Sequence, residues 1–329
     1  MLRVIYRRHG EPRVALELID EDLGVPGAGE AIVAVEATPI HIADLKCIRG
    51  ERSFRHPLPA TPGYEGIGRI VALGPGTTDW RIGDRVFLWF ATGTWQEQVR
   101  VRAETLAPAP AGDAVQLCML PVNPVTAHLI IEDNAHLLAP GGWLVQKVAN
   151  SACGLYLIEL ARRRGLRTVN IVRRDSLIPL IQQAGGDVVL VDGDDLAARV
   201  RSATGNAPIR LGIDAVAGTA TTRIGECLAD GGTVLNYGML SEEPCQLPAD
   251  MVFLRDIRLR GFYTRRQLAQ RTHAEKAAIY DFLGGLISEG ALATRIAGTF
   301  PLTRVKDACA LAAQSGDARP GKVVLIPGY

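Results

Sequence analysis

The chain lacks paired cysteines. Its six, Cys47, Cys118, Cys153, Cys227, Cys245 and Cys309, stand far apart and form no CxxC. That excludes zinc-ribbon spacing and a dense disulfide scaffold, and points to reduced thiols in a cytoplasm. Charge of one sign is also lacking. The net charge is +1 and the arginines are scattered, so no nucleic acid and no membrane surface is expected as a partner. The opening "MLRVIYRRHG" has no apolar core of the kind a secretory signal needs. No run approaches the roughly 18 apolar residues of a spanning helix. Internal repeats and low-complexity tracts are absent as well. The expectation is a soluble, cytoplasmic protein.

What is present is an ordinary globular composition, 329 residues with 47% apolar and 22% charged. That is enough chain for two domains with buried cores. Residues 1 to about 120 read as β-rich. "EAIVAVEATPI", "GIGRIVALGPG", "DRVFLWF" and "WQEQVRVRAETL" look like strands, with frequent Gly and Pro between them. A barrel-like, mostly antiparallel domain fits. After "LPVNPVTAHLII" the rhythm changes. Strand-like "GWLVQKVA", "TVNIVR", "DVVLVD", "LGIDAVAG", "GGTVLNYG" and "IRLRGFY" alternate with four helix-like stretches, each ending near a Gly. Alternating β and α implies a doubly wound parallel sheet. The tail opens with the helical "AEKAAIYDFLGGLISEG" and ends in "GKVVLIPG", a strand expected to rejoin the first domain.

The first strand–turn–helix of such a sheet sets backbone N–H groups against a pyrophosphate. Here it reads "VQKVANSACGLYLIELARRRG", Val145 to Gly165, with Ala152 where glycine is commonest. One methyl is tolerated if φ is negative there. Asn150 and Ser151 add side-chain donors. Cys153 reads as a small apolar filler, or as a thiol activated by the helix N-terminus. At the end of the next strand stand Arg173 and Arg174, in place of the acidic residue that binds a ribose 2′-hydroxyl. Guanidinium groups suit a 2′-phosphate, so NADP(H) is favoured over NAD(H). Later strand ends bring Tyr237, Gly238, Phe262 and Tyr263 to the same crevice.

"LPATPGYEGIGRIVALGPGTTDWRIGDRVF", "VNPVTAH", "VQKVANSACG", "GLRTVNIVRRDS" and "IRLRGFY" together resemble the medium-chain dehydrogenases/reductases. Within them the chain most resembles the zinc-free 2-enoyl thioester reductases, the mitochondrial-type enoyl-CoA/acyl-carrier-protein reductases. Quinone oxidoreductases come next. The resemblance implies an α/β protein with two domains. A GroES-like β-barrel-type catalytic domain spans 1–123, with 264–329 returning to it, and a Rossmann NADP(H)-binding domain spans 124–263. It implies NADPH, reduction of an activated C=C bond, a small-molecule substrate carried on coenzyme A or an acyl carrier, and a homodimer. It assigns Asn123, Thr126, Asn150 through Cys153, Arg173, Arg174, Tyr237, Gly238, Phe262, Tyr263 and Lys322 to the cofactor.

At the positions of the zinc ligands in the zinc-dependent branch stand His41, Tyr64 and Val122. One possible ligand of three cannot hold a catalytic metal, so none is expected. The enoyl reductases resembled also place a tyrosine as proton donor. An ungapped count back from "GYEG" puts Arg52 there, and arginine is a poor proton donor. Tyr64 and His41 are the alternative donors, directly or through water. Arg52 could instead stabilise a developing enolate while solvent supplies the proton. The remaining readings are a quinone reductase or a catalytically inactive nucleotide-binding protein. Arg49, Arg52, Arg55 and His56 read as a basic rim for a phosphorylated carrier or as a solvated loop, and Trp95 as a wall of the acyl pocket or as barrel packing.

Overall fold

The computed structural model describes residues 1–51, 55–90, 92–314 and 320–328. Two compact units make up the chain: Met1–Val125 with Arg271–Tyr329, and Thr126–Gln270. The second boundary falls beyond residue 263 because the helix Thr264–Ala269 follows directly on the last strand of the nucleotide unit, and the Thr264 hydroxyl bonds that of Thr126 at 2.5 Å.

In the unit holding both termini, the ten-residue strand Glu30–Pro39 is the hub. It pairs antiparallel with Gly66–Leu73, with Gln98–Arg102 and with Lys322–Leu325. Alternation explains the barrel: Ala31, Val33 and Val35 point into one core with Ile70, Val86, Leu88, Val99 and Val101. A second core joins the two ends of the chain, packing Val4, Tyr6, Leu16, Leu45 and Ile48 against Leu302, Val305, Val323 and Leu325. Trp95 is fully buried in it, so Trp95 packs the core rather than walling a pocket. Each such aliphatic side chain stabilises the fold by roughly 1.5–3 kcal/mol relative to exposure. The consequence for the site is one of register. Val324 faces Pro39 and Leu325 faces Thr38, so Lys322 arrives beside the residue that follows Ile40.

In the nucleotide unit, six strands, β1 (Trp143–Lys147), β2 (Arg167–Val172), β3 (Val188–Val191), β4 (Leu211–Asp214), β5 (Thr233–Asn236) and β6 (Arg258–Gly261), form one parallel sheet in the order β3-β2-β1-β4-β5-β6. The order reverses at β1, which is where this topology opens its ligand crevice. The strands read as apolar runs because both faces are covered: Val145, Val169, Ile171 and Val234 pack against Leu196, Val200 and Ile224 of the helices. At the sheet's outer edge, all four residues of β6 are exposed.

Candidate active site

Ala149 through Gly154 form the turn between β1 and the helix α1 (Ala152–Arg163). Ser151 is the N-cap, and its Oγ accepts the Gly154 N–H at 3.0 Å. Ala152 is the first helical residue, and the left-handed backbone of this turn falls on Val148, at φ 56°. That is why a methyl fits at Ala152. Gly154 has no such freedom: a Cβ there would lie 2.6 Å from the Ala149 carbonyl oxygen. Tyr237, after β5, sends its hydroxyl back to Ser151 and Cys153, and burial pushes that phenol well up. Cys153 is itself buried, as a filler should be. Gly238 lets its backbone pass Ala215, whose oxygen a Cβ would approach to 2.7 Å.

Asn150 is half-buried beside this turn. Arg173 and Arg174 follow the end of β2, both exposed. Phe262 is buried, while Tyr263 is about half exposed as the N-cap of Thr264–Ala269. Thr126 is buried on Thr264. Asn123, the first residue of the helix Asn123–Glu132, carries a buried Nδ2 with no hydrogen-bond partner. A group that accepts from that amide would satisfy it. In the nucleotide unit, the small-residue turn, the helix N-terminus and the two exposed guanidinium groups fit a dinucleotide phosphate.

The other unit holds a different kind of site. His41 is the N-cap of the helix Ile42–Arg49. Its Nε2 lies 2.6 Å from Glu65 Oε1, and its Nδ1 lies 3.4 Å from Lys322 Nζ. Glu65 is fully buried, and its Oε2 accepts the Val122 N–H at 2.7 Å. Desolvation holds the imidazole of His41 well below its usual value, with Lys322 adding to the effect. Desolvation also pushes the Glu65 carboxyl well up. Asp44 closes the corner. Its Oδ2 accepts the His41 N–H at 2.7 Å and its Oδ1 the Gly63 N–H at 3.1 Å. Burial pushes its carboxyl up to about 7 against those bonds. Gly63 sits at φ +118°, where a Cβ would lie 2.3 Å from Thr94 Oγ1.

Tyr64 packs its ring edge against His41, with centroids 6.5 Å apart. It lines a cavity of about 180 Å³ with Tyr6, Asp44, Cys47, His56 and Gly63. Arg52 lies outside the described residues. Of the other rim cations, Arg49 pairs with Glu11 and Arg55 donates to the Gly50 carbonyl. Lys322, expected at the cofactor, lies in this unit with its Nζ 3.4 Å from His41 Nδ1. Glu65 and Asp44 were not singled out as functional in the sequence; Glu65 stands in the quoted "GYEG", where the one available signal was an acid set among small residues. Among the described residues, no group of three His, Cys, Asp or Glu side chains is placed to hold a metal, and no helix is long and apolar enough to cross a membrane.

Residues 27–111 match the family described as alcohol dehydrogenase GroES-like domain, and residues 152–279 the family described as zinc-binding dehydrogenase. The mitochondrial enoyl-[acyl-carrier-protein] reductase of Dictyostelium discoideum is 30% identical over 293 residues, covering 85% of this chain and 82% of the relative. That of Arabidopsis thaliana is 31% identical over 300 residues, covering 88% and 79%. Among solved structures, a mycobacterial quinone oxidoreductase superposes with a TM-score of 0.86 at 25% identity, covering 99% of this chain and 100% of that one.

Proposed function

The chain belongs to the medium-chain dehydrogenase/reductase superfamily, in its mitochondrial-type enoyl reductase branch, and from that premise we propose a zinc-independent, NADPH-dependent reductase of activated C=C bonds. The substrate class is 2-enoyl thioesters, on coenzyme A or an acyl carrier, or related α,β-unsaturated carbonyls. The observation that carries the reading is the His41–Glu65–Lys322 group, in which His41 and Glu65 are buried. Reduction of C=C needs a proton as well as a hydride, and His41 and Tyr64, at two of the zinc-ligand positions of the zinc-dependent branch, stand beside this ionisable group.

The nucleotide unit offers the dinucleotide its turn at Asn150, Ser151, Ala152 and Cys153, with Gly238 keeping the crevice narrow. Arg173 and Arg174 would hold the 2′-phosphate. Asn123, Thr126, Phe262 and Tyr263 complete the set. When bound, NADPH supplies a hydride. Tyr237 fixes the turn through Ser151 and Cys153. Asp44 and Gly63 fix the loop that carries Tyr64 and Glu65.

The protein is proposed to be a cytoplasmic homodimer. None of the six cysteines is in a disulfide, which suits a reducing compartment. The exposed edge strand β6 lies close in sequence to Phe253, 85% exposed, and Leu254, 72% exposed. An unpaired edge beside apolar side chains suits a second copy.

A quinone reductase is the second reading. The 25% identity to a mycobacterial quinone oxidoreductase supports it, as does arginine at position 52. Initial rates of NADPH oxidation with crotonyl-CoA, a simple enal and a quinone separate the two. Turnover of the thioester or the enal is expected. Turnover of quinone alone supports the second reading, and tight NADPH binding without turnover supports an inactive nucleotide-binding protein.

A further inference from the structure

We propose that Lys147 and Arg223 set the preference for NADPH over NADH by taking up the charge of Asp192, the acid that the neighbouring strand sets beside Arg173. This rests on the assignment of Arg173 and Arg174 to the 2′-phosphate above.

Strand alternation brings the three side chains together. Val145 of β1 and Val188 and Leu190 of β3 pack into one core with Leu196, Val200 and Ile224. Two residues further on, at the carboxyl ends of the same two strands, come Lys147 and Asp192. Arg223 precedes Ile224 in the helix Thr219–Glu226. β2 runs between β1 and β3, with Val169 and Ile171 in the same core, and Arg173 is the next residue in that series. The Asp192 N–H donates to the Val172 carbonyl at 2.8 Å, so Asp192 stands where the arginine pair begins.

An acid in this crevice favours a ribose 2′-hydroxyl over a 2′-phosphate. Asp192 is barred from that role. Its Oδ2 accepts from Lys147 Nζ at 2.6 Å and from Arg223 Nη2 at 3.0 Å. Its Oδ1 accepts the Gly193 N–H at 3.1 Å and lies 3.0 Å from Arg223 Nε. A carboxylate has about four acceptor positions, and both oxygens here are engaged twice. None is left for a ribose hydroxyl. Burial raises the Asp192 carboxyl, but Lys147 and Arg223 outweigh it and hold the group below its usual range. Burial lowers the Lys147 ammonium, while Asp192 acts to raise it. The Lys147 side chain is only 4% exposed, so its charge faces Asp192 and not water. Two cations on one acid leave a net positive charge, of the same sign as Arg173 and Arg174. The other acids nearby in the chain, Asp175, Asp194 and Asp195, are exposed, and Asp195 pairs with Arg199.

The test is calorimetric titration of the whole chain with NADPH and with NADH, in the absence of substrate. Wild type should prefer NADPH. Lys147→Met keeps the apolar stem and removes one charge. Its NADPH affinity should fall about tenfold, and its NADH affinity should change less than about twofold. Adding Asp192→Asn to Lys147→Met removes the exposed negative charge. NADPH affinity should return to within about threefold of wild type. Arg223→Gln removes the same unit of charge from a half-buried helix position and should shift the preference in the same direction. Urea unfolding of each variant checks the fold.

Equal losses for the two cofactors mark the group as a structural brace and overturn the proposal. An NADPH loss that Asp192→Asn does not restore means that Lys147 acts on the phosphate itself, which also overturns it. If Lys147→Met does not fold, Arg223→Gln decides alone, by the same comparison of NADPH with NADH. If wild type binds the two cofactors equally, the assignment of Arg173 and Arg174 falls, and this proposal falls with it. If wild type prefers NADPH and the variants keep that preference, only this proposal falls.

Discussion

The two candidate sites are built on opposite principles. The turn at Ala149–Gly154 works through backbone and small side chains. Its ligand charges, Arg173 and Arg174, stay in water, and its tightest constraint is the space that a Cβ at Gly154 would fill. The His41–Glu65–Lys322 group works through ionisable side chains, two of which are buried. The first site needs a ligand to acquire charge complementarity. The second supplies its own, and should pay for any lost member in stability as well as in activity.

That contrast is sharpest at Glu65. Glu65→Ala removes the partner of His41 Nε2 and the acceptor of the Val122 N–H, leaving two buried polar groups unpaired. Urea unfolding should show a loss of about 3–5 kcal/mol. A loss under about 1 kcal/mol would mean the group is not desolvated in solution.

Next comes the pH dependence from Asp44. Its folded carboxyl is raised from 3.8 to about 7, so the folded state keeps a proton that the unfolded chain releases. The stability this contributes is full below about 4 and is lost as pH rises toward 7, by up to roughly 4 kcal/mol at 1.36 kcal/mol per pKa unit. Unfolding free energies of wild type and Asp44→Asn from pH 4.5 to 8 should therefore differ in slope over that range. Parallel curves would show that the backbone N–H bonds from His41, Gly63 and Tyr64 keep Asp44 ionised.

The nucleotide unit should answer differently. Arg173→Ala should weaken NADPH by about 1.5–3 kcal/mol, the worth of a hydrogen bond to a charged group, with NADH affinity and unfolding little changed. Titration calorimetry reads this directly, and equal NADPH and NADH affinities in wild type would remove the 2′-phosphate assignment. The smallest effect is expected for Tyr237→Phe. It should cost about 1 kcal/mol of unfolding free energy, since one hydroxyl bonded to Ser151 and Cys153 is lost. No change would mean that Tyr237 does not brace the turn.

Legibility followed the same divide. The alternation of apolar strands with Gly-ended helices made all six strands of the parallel sheet readable, since each lies within a short stretch of chain. The turn was readable too, although Val148 took up the left-handed backbone that a glycine count would have placed elsewhere. The buried group was not readable in the same way. His41 was named from its place at a zinc-ligand position of the zinc-dependent branch, but its partner Lys322 is 281 residues away. The pairing of Val324 with Pro39 and of Leu325 with Thr38 brings the two together. Glu65 was passed over beside Tyr64, because burial is a property of the folded barrel and not of "GYEG". Position 52, which raised the question of the proton donor, lies outside the described residues.

The proposed reaction moves the equivalents of NADPH onto an activated carbon–carbon double bond. Incubation of the purified protein with NADPH and crotonyl-CoA, followed by mass analysis of the thioester, tests it most directly. The account predicts butyryl-CoA formed one for one with NADPH consumed. Unchanged crotonyl-CoA beside a protein that binds NADPH tightly, or NADPH consumed only when a quinone is added, would contradict it.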